Sequence, residues 1–218
     1  MKRSSTIIAL LFWAGSMAIF GQGFASLGLK AGASLANQNW RISPIDFALE
    51  TDPVVGPALS IFLEAFRGDH FSFQADISYT VKGSKSATQS VTVNHLDQDR
   101  IIVNQGAVTT STFSYLSLEP MARYRVGQGS LVPYFLLGPR LDILLKYQSG
   151  SEYPLVDQNS IILGLTCGAG LEFKLQRLDL FTELKVLPDI SPVTNGEPLL
   201  INNHMLSLTV GVRWMASD

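Results

Sequence analysis

Phe71-Ser72-Phe73-Gln74-Ala75-Asp76-Ile77-Ser78-Tyr79-Thr80-Val81-Lys82 sets an apolar residue at every odd position and a polar one at every even position. Side chains alternate sides along a strand with period two, so the stretch is a strand with one oily and one wet face. The same alternation recurs at about 25–37, 54–67, 112–126, 131–147, 159–175, 178–187 and 203–215, with the quoted strand spanning 70–82. Most of these segments exceed the ordinary strand length of about 5–6 residues. No segment carries helical apolar spacing over three turns, and none reads as a linker between domains.

The connections sort themselves. Gly68-Asp69, Gly127-Gln128-Gly129-Ser130 and Gln176-Arg177 are tight hairpin turns, the first two with hairpin-type glycines. The other connections, 38–53, 83–111, 148–158 and 188–202, are long and polar, and long alternates with short. Outer-membrane barrels have short periplasmic turns, longer extracellular loops and both termini in the periplasm. The expected fold is therefore all-β, an eight-stranded antiparallel up-and-down transmembrane β-barrel.

Charge separates this from a soluble barrel. The polar faces carry Lys30, Glu64, Asp76, Lys82, Glu119, Arg123, Arg125, Arg140, Asp142, Lys146, Glu172, Lys174, Glu183, Lys185 and Arg213, with both signs in nearly every strand. Eight strands enclose an interior only wide enough for side chains, so these groups are expected to pair into a salt-bridged plug. A soluble periplasmic barrel with an apolar ligand inside would instead turn Leu208 and Val210 inward. Phe71, Tyr124, Phe173 and Trp214 all fall on the apolar face near the expected periplasmic end, as an aromatic girdle requires. Tyr79, about 20 Å higher at a rise of ~3.3 Å per residue and ~40° tilt, is the best member of an outer girdle.

Pro120 and Pro139 sit mid-strand, where each removes a ladder donor, so bulges or breaks are expected there. Phe113 and Tyr115 fall on the nominal inner face, and a phase slip around Pro120 would account for them. In the longest loop, Val91-Thr92-Val93 and Ile101-Ile102-Val103 are positioned to pair as a hairpin above the membrane.

Residues 1–24 have the form of a secretory signal: Lys2 and Arg3, an apolar run from Ile7 to Phe20, then small residues at Gly21, Gly23 and Ala25. Cleavage is expected between 21 and 25, leaving 25–218 as one barrel domain. Cys167 is the only cysteine, so no intramolecular disulfide forms. A net charge of −2 argues against nucleic acid as a partner. The 46% hydrophobic content suits a soluble globule equally well.

Chemistry is sparse. His204 and Ser207 are three apart and point to opposite faces by strand parity. His70 lies at a turn and His95 in an outer loop. Asp97-Gln98-Asp99 lacks the oxygen count and shaped turn of a calcium site. The glycines from Gly164 to Gly170 lie inside a strand, where they mark close packing or curvature rather than a phosphate loop. No catalytic, cofactor-binding or metal residue is expected, and no enzyme.

Gly28-Leu29-Lys30-Ala31-Gly32-Ala33-Ser34-Leu35-Ala36-Asn37 resembles the opening strand of the PorT-like outer-membrane β-barrel family. Tyr79-Thr80-Val81-Lys82-Gly83-Ser84-Lys85, Leu118-Glu119-Pro120-Met121-Ala122-Arg123-Tyr124, Pro133-Tyr134-Phe135-Leu136-Leu137-Gly138-Pro139 and Gly168-Ala169-Gly170-Leu171-Glu172-Phe173 are similar to its third to sixth strands, in order. The resemblance implies an eight-stranded barrel in a Gram-negative outer membrane, in a family whose name-giving member takes part in protein secretion and surface attachment. It carries over no functional residue. Such barrels often finish on an aromatic residue, whereas Met215-Ala216-Ser217-Asp218 follows Trp214, a departure that bears on recognition by the assembly machinery.

The expected role is structural or interactive: a monomer with a closed, charged lumen and four outer loops. Its partners would be outer-membrane lipids and another envelope or secretion component. The alternatives are a narrow, porin-like pore for small solutes and the soluble ligand-binding barrel.

Overall fold

The computed structural model describes residues 24–42, 47–49, 51–94, 100–149, 158–175, 178–194 and 199–215. Residues 1–23 of the expected signal, His95, Asp97-Gln98-Asp99 and the expected turn Gln176-Arg177 lie outside these residues, while Phe24, the last residue of the expected signal, opens β1. The strands are β1 (Phe24–Ile42), β2 (Phe47–Leu49), β3 (Asp52–Ala65), β4 (Phe71–Asn94), β5 (Arg100–Arg125), β6 (Leu131–Ser149), β7 (Ile161–Lys174), β8 (Leu178–Pro188) and β9 (Leu199–Met215). Chain neighbours β3 to β9 pair antiparallel in order, and β1 pairs with both β3 and β9. The last pairing runs from Ser26↔Met215 to Ile42↔Leu199 and closes the barrel. The short β2 adds only to the top of β1.

The faces sort as parity requires. Leu208 is 58% exposed and Val210 63%, both outward, while Ser207, Thr209 and Arg213 are buried inside. The apolar-inside barrel is overturned: here water-hating residues coat the outside. Phe71, Tyr124, Phe173 and Trp214 are all exposed on that surface, and Phe71 pairs directly with Tyr124, ring centroids 4.9 Å apart.

Several boundaries differ from the sequence expectation. Most of 83–111 is strand, with Val91↔Val103, Thr92↔Ile102 and Val93↔Ile101 in register. The expected hairpin is thus the upper part of β4 and β5, because Thr, Val and Ile favour extended backbone even among Ser, Asn and Gln. In the β3–β4 turn it is Phe66, not Gly68, that adopts a positive φ (52°), and Gly127 does so in the β5–β6 turn (90°). A bulky residue in that region is strained by about 1–3 kcal/mol.

The prolines break a ladder as expected, without slipping the phase. Pairs Leu118↔Leu141 and Ala122↔Leu137 flank an interruption in which Pro120 stands opposite Pro139. Inner parity is nevertheless unbroken from Phe113 to Arg125, so Phe113 and Tyr115 do face inward. The phase slip lies in β6, where Ser114↔Lys146 is followed by Tyr115↔Leu144. That bulge turns Lys146 outward, and Lys174 at the end of β7 is only half-buried, so neither belongs to the plug.

Inward glycines sit beneath large side chains. A Cβ on Gly28 would strike the Phe62 ring, on Gly170 the Tyr134 ring, and on Gly211 the Phe181 ring. Close packing is thus the reason for these glycines. Gly170→Val should cost about 1–3 kcal/mol through overpacking. The outward Ala169→Val should leave stability unchanged, and the compact band of unheated samples on gels reads both.

Candidate functional site: the filled lumen

Strand parity aims the charges at the axis, and closure keeps water away from them. Lys30, Lys82, Arg123, Arg125, Arg140, Lys185 and Arg213 are each at most 3% exposed. Charges so placed must pair, because an isolated buried ion costs many kcal/mol. They do so in three layers.

At the periplasmic end, Arg123 Nη2 lies 2.7 Å from Glu172 Oε2, and Arg213 Nη1 2.8 Å from Glu64 Oε2. Arg125 also holds Glu64, and Arg213 holds Glu172 and Asp179. Arg67 folds back from the turn after Phe66 to reach Glu172 at 3.3 Å, its side chain 21% exposed. Burial first, then the charge of Arg213, pushes the Arg67 guanidinium below its ordinary range; it stays charged, since a guanidinium does not deprotonate in proteins.

In the middle layer, Lys30 Nζ bridges Asp76 and Glu183, each at 2.7 Å. Lys185 Nζ bridges Asp76 at 3.0 Å and Glu119 at 2.9 Å. Ser78 and Thr166 donate to Glu119 at 2.7 and 3.0 Å, and Gln74 to Asp76 at 2.8 Å. This layer has a surplus carboxylate, and the layer below has a surplus guanidinium. Tyr134 joins them: its ring lies 3.6 Å under the Arg123 guanidinium, and its hydroxyl donates to Glu183 at 3.1 Å. Phe62, Met121, Leu136 and Phe181 pack around it.

In the outer layer, Lys82 Nζ meets Asp142 at 2.6 Å and Asp189 at 2.8 Å, and Arg140 pairs with the same two carboxylates. Above it, Phe113, Tyr115, Ile162, Val193 and Ile201 form an apolar cap, with Tyr147 stacked on Phe113 at 4.6 Å.

The sequence reading missed three members of the network. Asp179 shares the parity of Glu183 and Lys185, a signal that was there to use. Asp189 lies just past the expected end of its strand, and Arg67, at the end of the expected strand 54–67 with outward parity, turns inward because the strand ends at Ala65 and Phe66 takes a positive φ. His204 is exposed and Ser207 buried, on opposite faces of β9. His70 Nδ1 lies 3.1 Å from the Arg125 carbonyl at the periplasmic turn. Among the described residues, no group of three or more His, Cys, Asp or Glu could hold a metal.

The outer membrane protein beta-barrel domain family model matches residues 20–195. The chain belongs to this family. Its place is the outer membrane. No curated protein matches the sequence. Among solved structures, the chain is similar to the outer membrane protein OprG from Pseudomonas aeruginosa, at 10% identity and a TM-score of 0.51, covering 92% of this chain and 100% of that one. It is also similar to Neisserial surface protein A at 16% identity and a TM-score of 0.48, covering 87% and 97%. A third is the outer membrane protease OmpT from Escherichia coli at 7% and 0.47, covering 88% and 97%. At such identities the likeness is one of fold alone.

Lys185→Met leaves Asp76 and Glu119 short of their shared cation. Breaking a buried pair on one side costs about 3–5 kcal/mol, so urea unfolding in detergent should shift to lower concentration. Adding Glu119→Gln should restore part of the loss.

Proposed function

We propose that this outer-membrane barrel is a closed scaffold with a structural or interaction role, rather than a pore or an enzyme. The observation that carries this reading is the lumen: carboxylates and cations interlock from the Arg67 layer to the Asp189 layer, and aromatic and aliphatic side chains separate and cap them. A solute moving along the axis would have to break buried ion pairs in every layer. The separation of His204 from Ser207 supports the non-enzymatic reading.

Lipids are the partner of the apolar outer surface, and a further envelope or secretion component is the partner proposed for the outer loops. Nucleic acid is not proposed, and the barrel acts as a monomer. A place in the PorT-like branch is supported by the quoted motifs, whose Gly28 and Gly170 seat Phe62 and Tyr134 inside the barrel.

In planar bilayers the folded protein should give no sustained single-channel steps. Steps that scale with salt concentration would put the narrow pore first. Residues 1–24 are proposed to be removed on export. Sequencing the N-terminus of protein from the membrane fraction should therefore begin between residues 22 and 25, and an intact Met1 would refute cleavage.

A further inference from the structure

The bulge in β6 leaves a cation on the lipid side of the barrel. Ser114↔Lys146 and Tyr115↔Leu144 are consecutive pairs, so Leu145 is the extra residue and Lys146 stands outward beside Ser114. Lys146 is exposed and has no ion pair among the described residues. Asp142, the carboxylate nearest along its strand, points inward to Lys82 and Arg140. Lys85, exposed on β4, differs: Asp52 stands directly opposite it on β3.

The height of Lys146 follows from β5. Ser114 lies ten residues above Tyr124 of the periplasmic girdle. At ~3.3 Å rise and ~40° tilt that is about 25 Å, the full height of an outer-membrane apolar band. The same count along β7 from Phe173 reaches Leu163, which is apolar and exposed. The polar edge is therefore not uniform around the barrel.

Neutral donors stand beside the ammonium. Tyr79 Oη donates to Ser114 Oγ at 3.3 Å on the exposed face, which leaves the Ser114 O–H to donate outward. Thr112 and Gln148 form the next outward pair above. An ammonium at the edge of hydrocarbon extends toward the headgroups and needs an anion there. Lipid phosphate is the anion a bilayer offers at that depth, and it accepts from ammonium and hydroxyl groups together.

We propose that Lys146, Ser114 and Tyr79 form a binding site for the phosphate of an outer-leaflet lipid. Its acyl chains lie on Leu116, Ile143 and Leu145, the exposed apolar residues directly below. The inference rests on the membrane placement and not on the closed-scaffold reading, which the single-channel recordings test separately.

The test uses the full chain folded into phosphatidylcholine vesicles. Each preparation carries a trace of photoactivatable phosphatidic acid or phosphatidylcholine, with a diazirine high in one acyl chain. Adducts on 112–116 and 143–148 should be about fivefold more frequent from phosphatidic acid, the worth of one lysine near a membrane surface. Lys146→Gln should bring that preference below about twofold, and Lys146→Arg should keep it. Lys85→Gln should leave it unchanged, and every variant must first show the compact band of unheated samples. Equal labelling by the two lipids, or a preference that survives Lys146→Gln, overturns the site. An equal drop in Lys85→Gln would reduce it to general surface charge and overturns it too. Loss of the preference in millimolar inorganic phosphate, but not in sodium chloride of equal ionic strength, would assign the site to a soluble anion instead.

Discussion

Hydrocarbon offers a peptide group no hydrogen-bond partner, so a strand crossing it must have a neighbour on each side and the sheet must return to its own first edge. The β1–β9 ladder is where that requirement is met here. Everything else in the interior follows from closure. With eight strands around it, the enclosed space holds side chains and little more, so any charge that parity directs inward is removed from water. The mutual pairing of lysines, arginines and carboxylates is the condition under which such a sequence can close at all.

Pairing alone would leave the layers electrically uneven. The middle layer has a surplus carboxylate and the periplasmic one a surplus guanidinium, and they lean on each other through Tyr134, which stacks on Arg123 and donates to Glu183. The apolar cluster of Phe62, Met121, Leu136 and Phe181 between them keeps that region dry and strengthens these contacts. Small inward residues are the counterpart of large ones: Gly28, Gly170 and Gly211 exist where Phe62, Tyr134 and Phe181 need room.

Architecture and most of the plug were legible because period two is simple and the buried face is charged. Lys30, Glu64, Asp76, Glu119, Arg123, Arg125, Glu172, Glu183, Lys185 and Arg213 all obey strand parity and all are buried. Illegible parts share one cause: parity is lost wherever the register changes or a strand ends. Lys146 turned outward at a bulge next to Leu144, which no composition marks. Phe113 and Tyr115 on the nominal inner face suggest a phase slip around Pro120, whereas they face inward because the mouth is capped by apolar contacts with Val193, a residue beyond the last predicted position of its strand. The partnership of Arg140 with the Leu165 and Pro188 carbonyls needs three-dimensional neighbours that neither spacing nor composition reveals.

The unequal lengths of the strands have a consequence for how the cell surface is met. β4 has 24 residues and β5 26, against 11 in β8, and β4 loses its β3 partner beyond Lys85. From there to Asn94 the pair climbs roughly 20 Å further at ~3.3 Å rise and ~40° tilt, several times the ~5–7 Å depth of a headgroup layer. The molecule is in effect a short drum with a mast. An antibody, a phage or a neighbouring cell arriving from outside touches the mast long before it could sense the drum.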